Sequence, residues 1–220
     1  MTALDLTVGG APLRLLPERC AFLPAHGLLL AADAHIGKAQ SFRRLGVPVP
    51  SGTTAGTLAR LDAALAATGA GHVVFLGDLL HAARGRSPGT EAVFQAWRAR
   101  HPALTLTLVR GNHDRHAGDP PAAWRVQCVD APWRLPPPGV LALDHHPDPL
   151  PGRYVLAGHV HPAVVLGGRA HQRLRLPCFH FGTAVGVLPA FGEFTGAQVV
   201  QRGPGERIAV VADGAVHLLP

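Results

Sequence analysis

The sequence predicts an α/β domain, and three observations carry that reading. Over the first half of the chain, short apolar runs of strand length alternate with longer stretches of helical spacing. From Ala163 onward the apolar runs are all short and separated by glycine-rich turns, which adds sheet rather than helix. Five of the runs end directly in a cluster of Asp, His or Asn, the pattern expected where strand-end loops of an open sheet gather around a ligand.

The elements follow in order. Leu28–Ala32 is a strand-sized run that stops at Asp33-Ala-His35. Thr53–Thr68 is alanine-rich and sets Leu58, Leu61 and Leu65 on one helical face, until Gly69-Ala-Gly71 breaks it. His72–Leu76 reads as a buried strand running into Gly77-Asp78. Residues 91–100 put Val93, Phe94 and Trp97 on one face of a helix that His101-Pro102 closes. Residues 104–109 form the next strand and lead into Arg110-Gly-Asn-His-Asp114. After a proline-rich connection at 132–138, residues 140–143 end at Asp144-His-His146, and Tyr154–Ala157 ends at Gly158-His-Val-His161. Runs at 163–166, 173–176, 207–211 and 216–218 read as short strands. No internal repeat, linker or low-complexity tail divides residues 1–220, so one domain is expected.

Composition narrows the function. The chain has 220 residues, 47% hydrophobic and 15% charged, which excludes a disordered chain and suffices for one sizeable core. No apolar run is long enough to cross a bilayer, and the first residues lack the basic-then-apolar pattern of a secretory leader. Cys20, Cys128 and Cys178 lie far apart with no CxxC pair; this argues against a disulfide scaffold or a zinc finger, and a cytoplasmic protein is expected. Lys+Arg is 20 against Asp+Glu 14, giving +6, and Lys38 is the only lysine. Guanidinium forks match phosphate oxygens in pairs, so the excess fits a polyanionic partner. Arginine standing in for lysine across the surface of an Ala-, Gly- and Pro-rich chain accounts for it equally well.

The 14 histidines carry more information. The five clusters are Asp33-x-His35, Gly77-Asp78-x-x-His81, Gly111-Asn112-His113-Asp114, His145-His146 and Gly158-His159-x-His161. In an extended chain residues i and i+2 point the same way, so Asp33 with His35, and His159 with His161, are expected to enter a common site. Carboxylate, imidazole and amide oxygen together suit divalent manganese, iron or zinc, and the absence of cysteine argues against a structural zinc site. A single Asp-x-His is common by chance; five clusters, each after an apolar run, point to one shared metal site. The glycines before Asp78, Asn112 and His159 mark places where the backbone comes close to something. Gly85-Arg-Ser-Pro-Gly89 satisfies GxSxG, but no strand runs into it and Pro88 would disturb the elbow, so it reads as a loop feeding a helix. Gly167-Gly168 lacks dinucleotide-binding spacing. Phe179-His-Phe181 reads as core rather than as a platform for bases.

Taken in order from Asp33 to His161, these motifs resemble those of the calcineurin-like metallophosphoesterase superfamily. The stretches Ala32-Asp-Ala-His-Ile-Gly-Lys-Ala39 with Phe42-Arg-Arg44, Val109-Arg-Gly-Asn-His-Asp-Arg115, Leu176-Pro-Cys-Phe179 and Gly186-Val-Leu-Pro-Ala-Phe191 are similar to the bacterial ligase-associated DNA damage response endonucleases. The resemblance implies a four-layer α/β sandwich, two β-sheets flanked by helices, with a two-metal site at the strand ends. It implies two divalent ions, Mn²⁺ first, with Fe²⁺ or Zn²⁺ as alternatives. Asp33, His35 and His161 would hold one, Asn112, His159 and His145 the other, and Asp78 would bridge them. His146 is the alternative to His145, which is preferred for the Pro147 two residues on. Ions about 3.5–4 Å apart would need an anion between them, and their charge would lower the pKa of a shared water toward neutral, supplying the hydroxide nucleophile that the resemblance implies. His113 is assigned to the phosphate and leaving oxygen, and Asp114 to orienting its ring, with simple turn chemistry the competing role for Asp114. His81 is expected beside the ligands rather than among them.

Arg43, Arg44 and Arg115 are candidate phosphate contacts, and Arg110 serves either that role or ordinary surface charge. The implied activity is a DNA endonuclease or phosphodiesterase of DNA repair, associated with a DNA ligase and a helicase and not with a membrane. A phosphatase or phosphodiesterase for small nucleotides competes with it, as does a non-catalytic scaffold of the same fold. The full ligand set and His113 favour an enzyme.

Overall fold

The computed structural model describes residues 2–167 and 173–220, so Gly168 of the Gly167-Gly168 pair lies outside the described residues. The chain opens with a three-stranded meander, β1 (Leu4–Val8), β2 (Ala11–Leu16) and β3 (Cys20–Leu23), followed by β4 (Leu28–Ala32). Then come α1 (Lys38–Arg44), α2 (Thr53–Thr68), β5 (His72–Leu76), α3 (Pro88–Arg100), β6 (Thr105–Val109), α4 (Asn112–Ala117) and β7 (Val126–Val129). The remainder is strand: β8 (Trp133–Arg134), β9 (Leu141–Leu143), β10 (Tyr154–Ala157), β11 (Pro162–Gly167), β12 (Arg173–Phe181), β13 (Val185–Val187), β14 (Gln198–Val199), β15 (Arg207–Ala212) and β16 (Ala215–Leu218).

These strands build two sheets. The first runs β1 to β7 in chain order, antiparallel through β4 and parallel from β4 to β7. The second holds nine strands, with β9, β10 and β13 parallel at its centre. Leu13, Leu30, Val74 and Leu76 of the first sheet meet Leu141, Leu156, Phe179 and Phe181 of the second in one buried core. On its other face the first sheet packs Leu29, Val73, Phe75 and Leu108 against Leu58 and Leu61 of α2 and Phe94 and Trp97 of α3. Strand β4 and residues 73–76 of β5 are thus apolar on both faces, which is why they read as uninterrupted apolar runs.

The two-sheet α/β sandwich is as expected. The described helices all precede Val126 and flank the first sheet, while the outer face of the second is closed by a smaller cluster of Val164, Cys178, Ile208 and Val210. Helix α3 begins at Pro88 rather than at 91, because Ser87 caps it: its Oγ accepts the Thr90 N–H at 3.1 Å. The GxSxG stretch is therefore a helix cap. Phe94 and Trp97 are buried as expected, but Val93 is 39% exposed. Phe179 and Phe181 are core residues. The cysteines are free, and among the described residues no helix is long and apolar enough to cross a membrane.

Phe179 lies fully buried where the two sheets meet. Phe179→Ala should cost about 3–5 kcal/mol of stability, measured as a lower urea midpoint at unchanged slope.

Candidate metal centre

Five parallel strands aim their C-terminal ends at one place. From the first sheet, β4 delivers Asp33 and His35, β5 delivers Asp78, and β6 delivers Asn112 and His113. From the second, β9 delivers His145 and β10 delivers His159 and His161. The two carboxylates are buried, Asp33 at 0% and Asp78 at 2% exposure. One oxygen of each is pinned by a backbone amide: Asp33 Oδ2 accepts the His159 N–H at 2.8 Å, and Asp78 Oδ1 accepts the His113 N–H at 2.9 Å.

The ligand atoms of Asp33, His35 and His161 lie within 4.8 Å of one another, as do those of His145, His146 and His159. Asp33, Asp78 and His145 form a third such group that joins the other two. Asp78 sits between the halves, with Oδ2 4.0 Å from His35 Nε2 and Oδ1 3.5 Å from His145 Nε2. Asn112 Oδ1 is 2.8 Å from His145 Nε2. His145 is fully buried and His146 exposed, and an Asp144 oxygen accepts both their amide protons in the turn that presents them.

The donor set fits a cation. His145 Nδ1 donates to the Leu76 carbonyl and His161 Nδ1 to that of Gly196, both at 3.2 Å, so in the neutral rings both Nε2 lone pairs turn inward. His161 Nε2 then meets His35 Nε2 at 3.3 Å, and His145 Nε2 meets His159 Nδ1 at 3.0 Å. Asp33 Oδ1 and His35 Nδ1 are buried without a hydrogen-bond partner. Burial pushes the basicity of His35, His145 and His159 down, which favours the neutral imidazole a metal requires. Burial, reinforced by the neighbouring Asp33 charge, pushes the Asp78 carboxyl up.

Backbone strain marks the same residues. Asp33, His35, Asp78, His159 and His161 all have positive φ, between 45° and 70°. The convergence of Asp33 with His35, and of His159 with His161, therefore does not come from alternation along an extended chain, as expected above. It comes from left-handed turns just past the strand ends, and these send His159 to the His145 group and His161 to the Asp33 group. The three glycines leave room for this: a Cβ on Gly77, Gly111 or Gly158 would stand 2.0 Å from His145 Nδ1, 2.4 Å from Asp78 Oδ1 and 2.5 Å from Asp33 Oδ2.

A Pseudomonas putida nuclease, MPE, is 44% identical over 99% of this chain and 100% of its own, with a TM-score of 0.86. This chain belongs to the metallophosphoesterase family. A phosphoesterase from E. coli, YfcE, is a more distant likeness, 16% identical over 84% of this chain and 88% of its own, with a TM-score of 0.41. No protein-family model and no curated protein matched the sequence.

Around the ligand groups of this metallophosphoesterase, some expected contacts are replaced by others. His113 Nδ1 donates to the His81 carbonyl at 2.7 Å, and its ring stacks on that of His81 at 4.9 Å. Asp114 therefore does not orient His113. Its oxygens accept the Leu80 and Gly111 amides, both at 3.0 Å, tying the loop after β5 to that after β6. Burial pushes the Asp114 carboxyl up to about 6 against the pull of those two amides. The His81 ring lies 5.2 Å from His35, and burial followed by the Lys38 charge brings its pKa down to about 4. Arg110 is committed to Asp119 and Asp130, and Arg43 to Gln40 and the Pro50 carbonyl, whereas Arg44 and Arg115 are exposed.

Asp114→Ala strands two buried amides and should cost about 2–5 kcal/mol. Asp114→Asn keeps one acceptor and should cost about half as much. Chemical denaturation of the three proteins reads the difference.

Proposed function

We propose that this protein is a divalent-metal-dependent phosphodiesterase that cuts nucleic acid, DNA foremost, using two ions. The observation that carries the reading is Asp78, a buried carboxylate of the first sheet between two histidine-containing groups, one drawing on both sheets and the other on the second sheet alone. The full-length likeness to a nuclease supports the substrate class. In this reading Asp33, His35 and His161 would hold one ion, Asn112, His145 and His159 the other, and Asp78 would serve both. His145 is preferred to His146 because only His145 is buried against Asp33 and Asp78. Mn²⁺ suits the mixture of carboxylate, amide and imidazole, with Fe²⁺ or Zn²⁺ compatible. Bound divalent ions here would draw off charge that builds on the phosphoryl oxygens and lower the pKa of water toward neutral.

The chain's own contribution centres on His113. With Nδ1–H tied to the His81 carbonyl, Nε2 is the free edge of the ring, 3.9 Å from Asp78 Oδ2 and partly exposed on the open side of the site. A protonated His113 donates from that edge to a phosphoryl oxygen or to the departing oxygen. The stacked His81 ring holds the His113 plane, and the His81 carbonyl sets its tautomer. Arg44 and Arg115, exposed at α1 and α4, extend a positive rim for neighbouring phosphates. A place in DNA repair, beside a ligase and a helicase in the cytoplasm, belongs to this proposal and rests on the family resemblance.

The test is cleavage of single-stranded, nicked and duplex DNA with added Mn²⁺ and with chelator. Mn²⁺-dependent scission is expected, and equal cutting in chelator would contradict the reading. His113→Ala should keep its metal but lose about 10²–10⁴-fold in DNA turnover. Bis-p-nitrophenyl phosphate has a good leaving group that needs little protonation, so it should suffer less; equal losses on both would assign His113 to charge stabilisation instead.

A further inference from the structure

A second basic feature lies on the His161 side of the site. A cavity of about 150 Å³, several times the ~30 Å³ share of one water, is lined by Arg19, His161, Arg175 and Thr195, with no Asp or Glu among its lining residues. His161 is the wall it shares with the metal centre: Nε2 faces Asp33 and His35, at 3.5 and 3.3 Å, while Nδ1 bonds the Gly196 carbonyl on the cavity rim. The chain builds this wall directly, because β11 leaves from His161 and pairs with β12 so that Ala163 meets Pro177 and Val165 meets Arg175. Period-two alternation brings Arg175, Pro177 and Ala163 to one face.

Arg19 comes from the turn between β2 and β3, where it holds φ at 63°. A long side chain gains nothing from the left-handed region, and such outliers concentrate at functional positions. Among the described residues the arginine–carboxylate ion pairs belong to Arg14, Arg60, Arg86, Arg100 and Arg110. Arg19 and Arg175 have none. Glu193 acts on Arg19 from a distance, but its carboxylate is 3.7 Å from Arg60. Two arginines without carboxylate partners, lining one cavity, offer a site for an anion.

We propose that Arg19 and Arg175 bind a phosphate of the DNA strand next to the one being cut, on the His161 side, so that the enzyme favours a chain of phosphates over an isolated diester. The inference rests on the phosphodiesterase reading above and adds the residues that select a polymer. Arg19→Gly removes the charge and relieves the left-handed backbone; Arg175→Ala removes a charge from an exposed strand position. Each is compared with wild type by the fluorescence anisotropy of a labelled DNA oligonucleotide, without metal, across a salt series, and by turnover of DNA and of bis-p-nitrophenyl phosphate with metal. Each variant should weaken DNA binding about 3–10-fold and flatten the log–log salt slope by about one. The loss of turnover on DNA at low substrate should exceed that on the small diester about fivefold. Arg→Lys at either position should recover part of the binding, since a point charge remains. Unchanged affinity and slope, or equal losses on both substrates, would overturn the proposal while leaving the nuclease reading intact. A wild-type protein that hydrolyses the small diester but neither binds nor cuts DNA would overturn both.

Discussion

The structure depends on two buried carboxylates that are held close together. Ligand atoms of Asp33 and Asp78 lie within 4.8 Å of each other, and both side chains are almost wholly shielded from solvent. At an effective dielectric of about 20 two full charges at that separation repel by about 3–4 kcal/mol. Each receives one amide hydrogen bond, worth about 1.5–3 kcal/mol to a charged acceptor, and each keeps another oxygen turned toward inward-facing imidazole nitrogens. The amides stabilise the carboxylates singly but leave the centre electron-rich. A bound cation would relieve the repulsion and satisfy the nitrogen lone pairs together.

The same contacts explain how two separate sheets keep one site in register. The Asp33–His159 bond runs from the end of β4 to the end of β10, from one sheet to the other. The donation of His145 Nδ1 to Leu76 makes a second crossing, from the loop after β9 to the end of β5. Asp114 ties neighbouring loops of the first sheet. The candidate ligand residues are thereby held in place by hydrogen bonds to the backbone, with the inter-sheet core of Phe179, Leu76 and Leu156 behind them. Five of the candidate ligand residues occupy the left-handed region, and all are Asp or His, types that tolerate it better than branched or bulky side chains. The chemistry and the backbone therefore select the same residues.

The sequence was most legible where a single physical signal acts alone. Helix α2 and strands β4, β5 and β10 have the expected bounds, because they are apolar runs cut by glycine or by a polar cluster. The N-terminal meander went unread although Gly9-Gly10 stands between alternating leucines, a hairpin signal realised here with φ of 52° and 76°. The short helices α1 and α4 have no apolar periodicity to announce them. Among the candidate site residues, which side chains gather could be read from the strand-end clusters, but the means of gathering could not. Left-handed φ at Asp33 or His161 is not announced in the sequence, because Asp and His tolerate that region without requiring it, and the partner of His113 is a carbonyl, which every residue has. Arg19 and Arg175 escaped because they stand far apart in sequence, one in the β2–β3 turn and the other on β12, and line one cavity only in the folded chain.

The central claim, that the Asp33–Asp78 centre exists to hold two cations, is tested most directly by counting them. Metal-free protein would be reconstituted with Mn²⁺, desalted and analysed by inductively coupled plasma mass spectrometry, alongside Asp78→Asn. The account expects two ions per chain in the wild type and a marked loss from both positions when the shared carboxylate becomes an amide. A single ion in the wild type, with Asp78→Asn retaining as much, would contradict it.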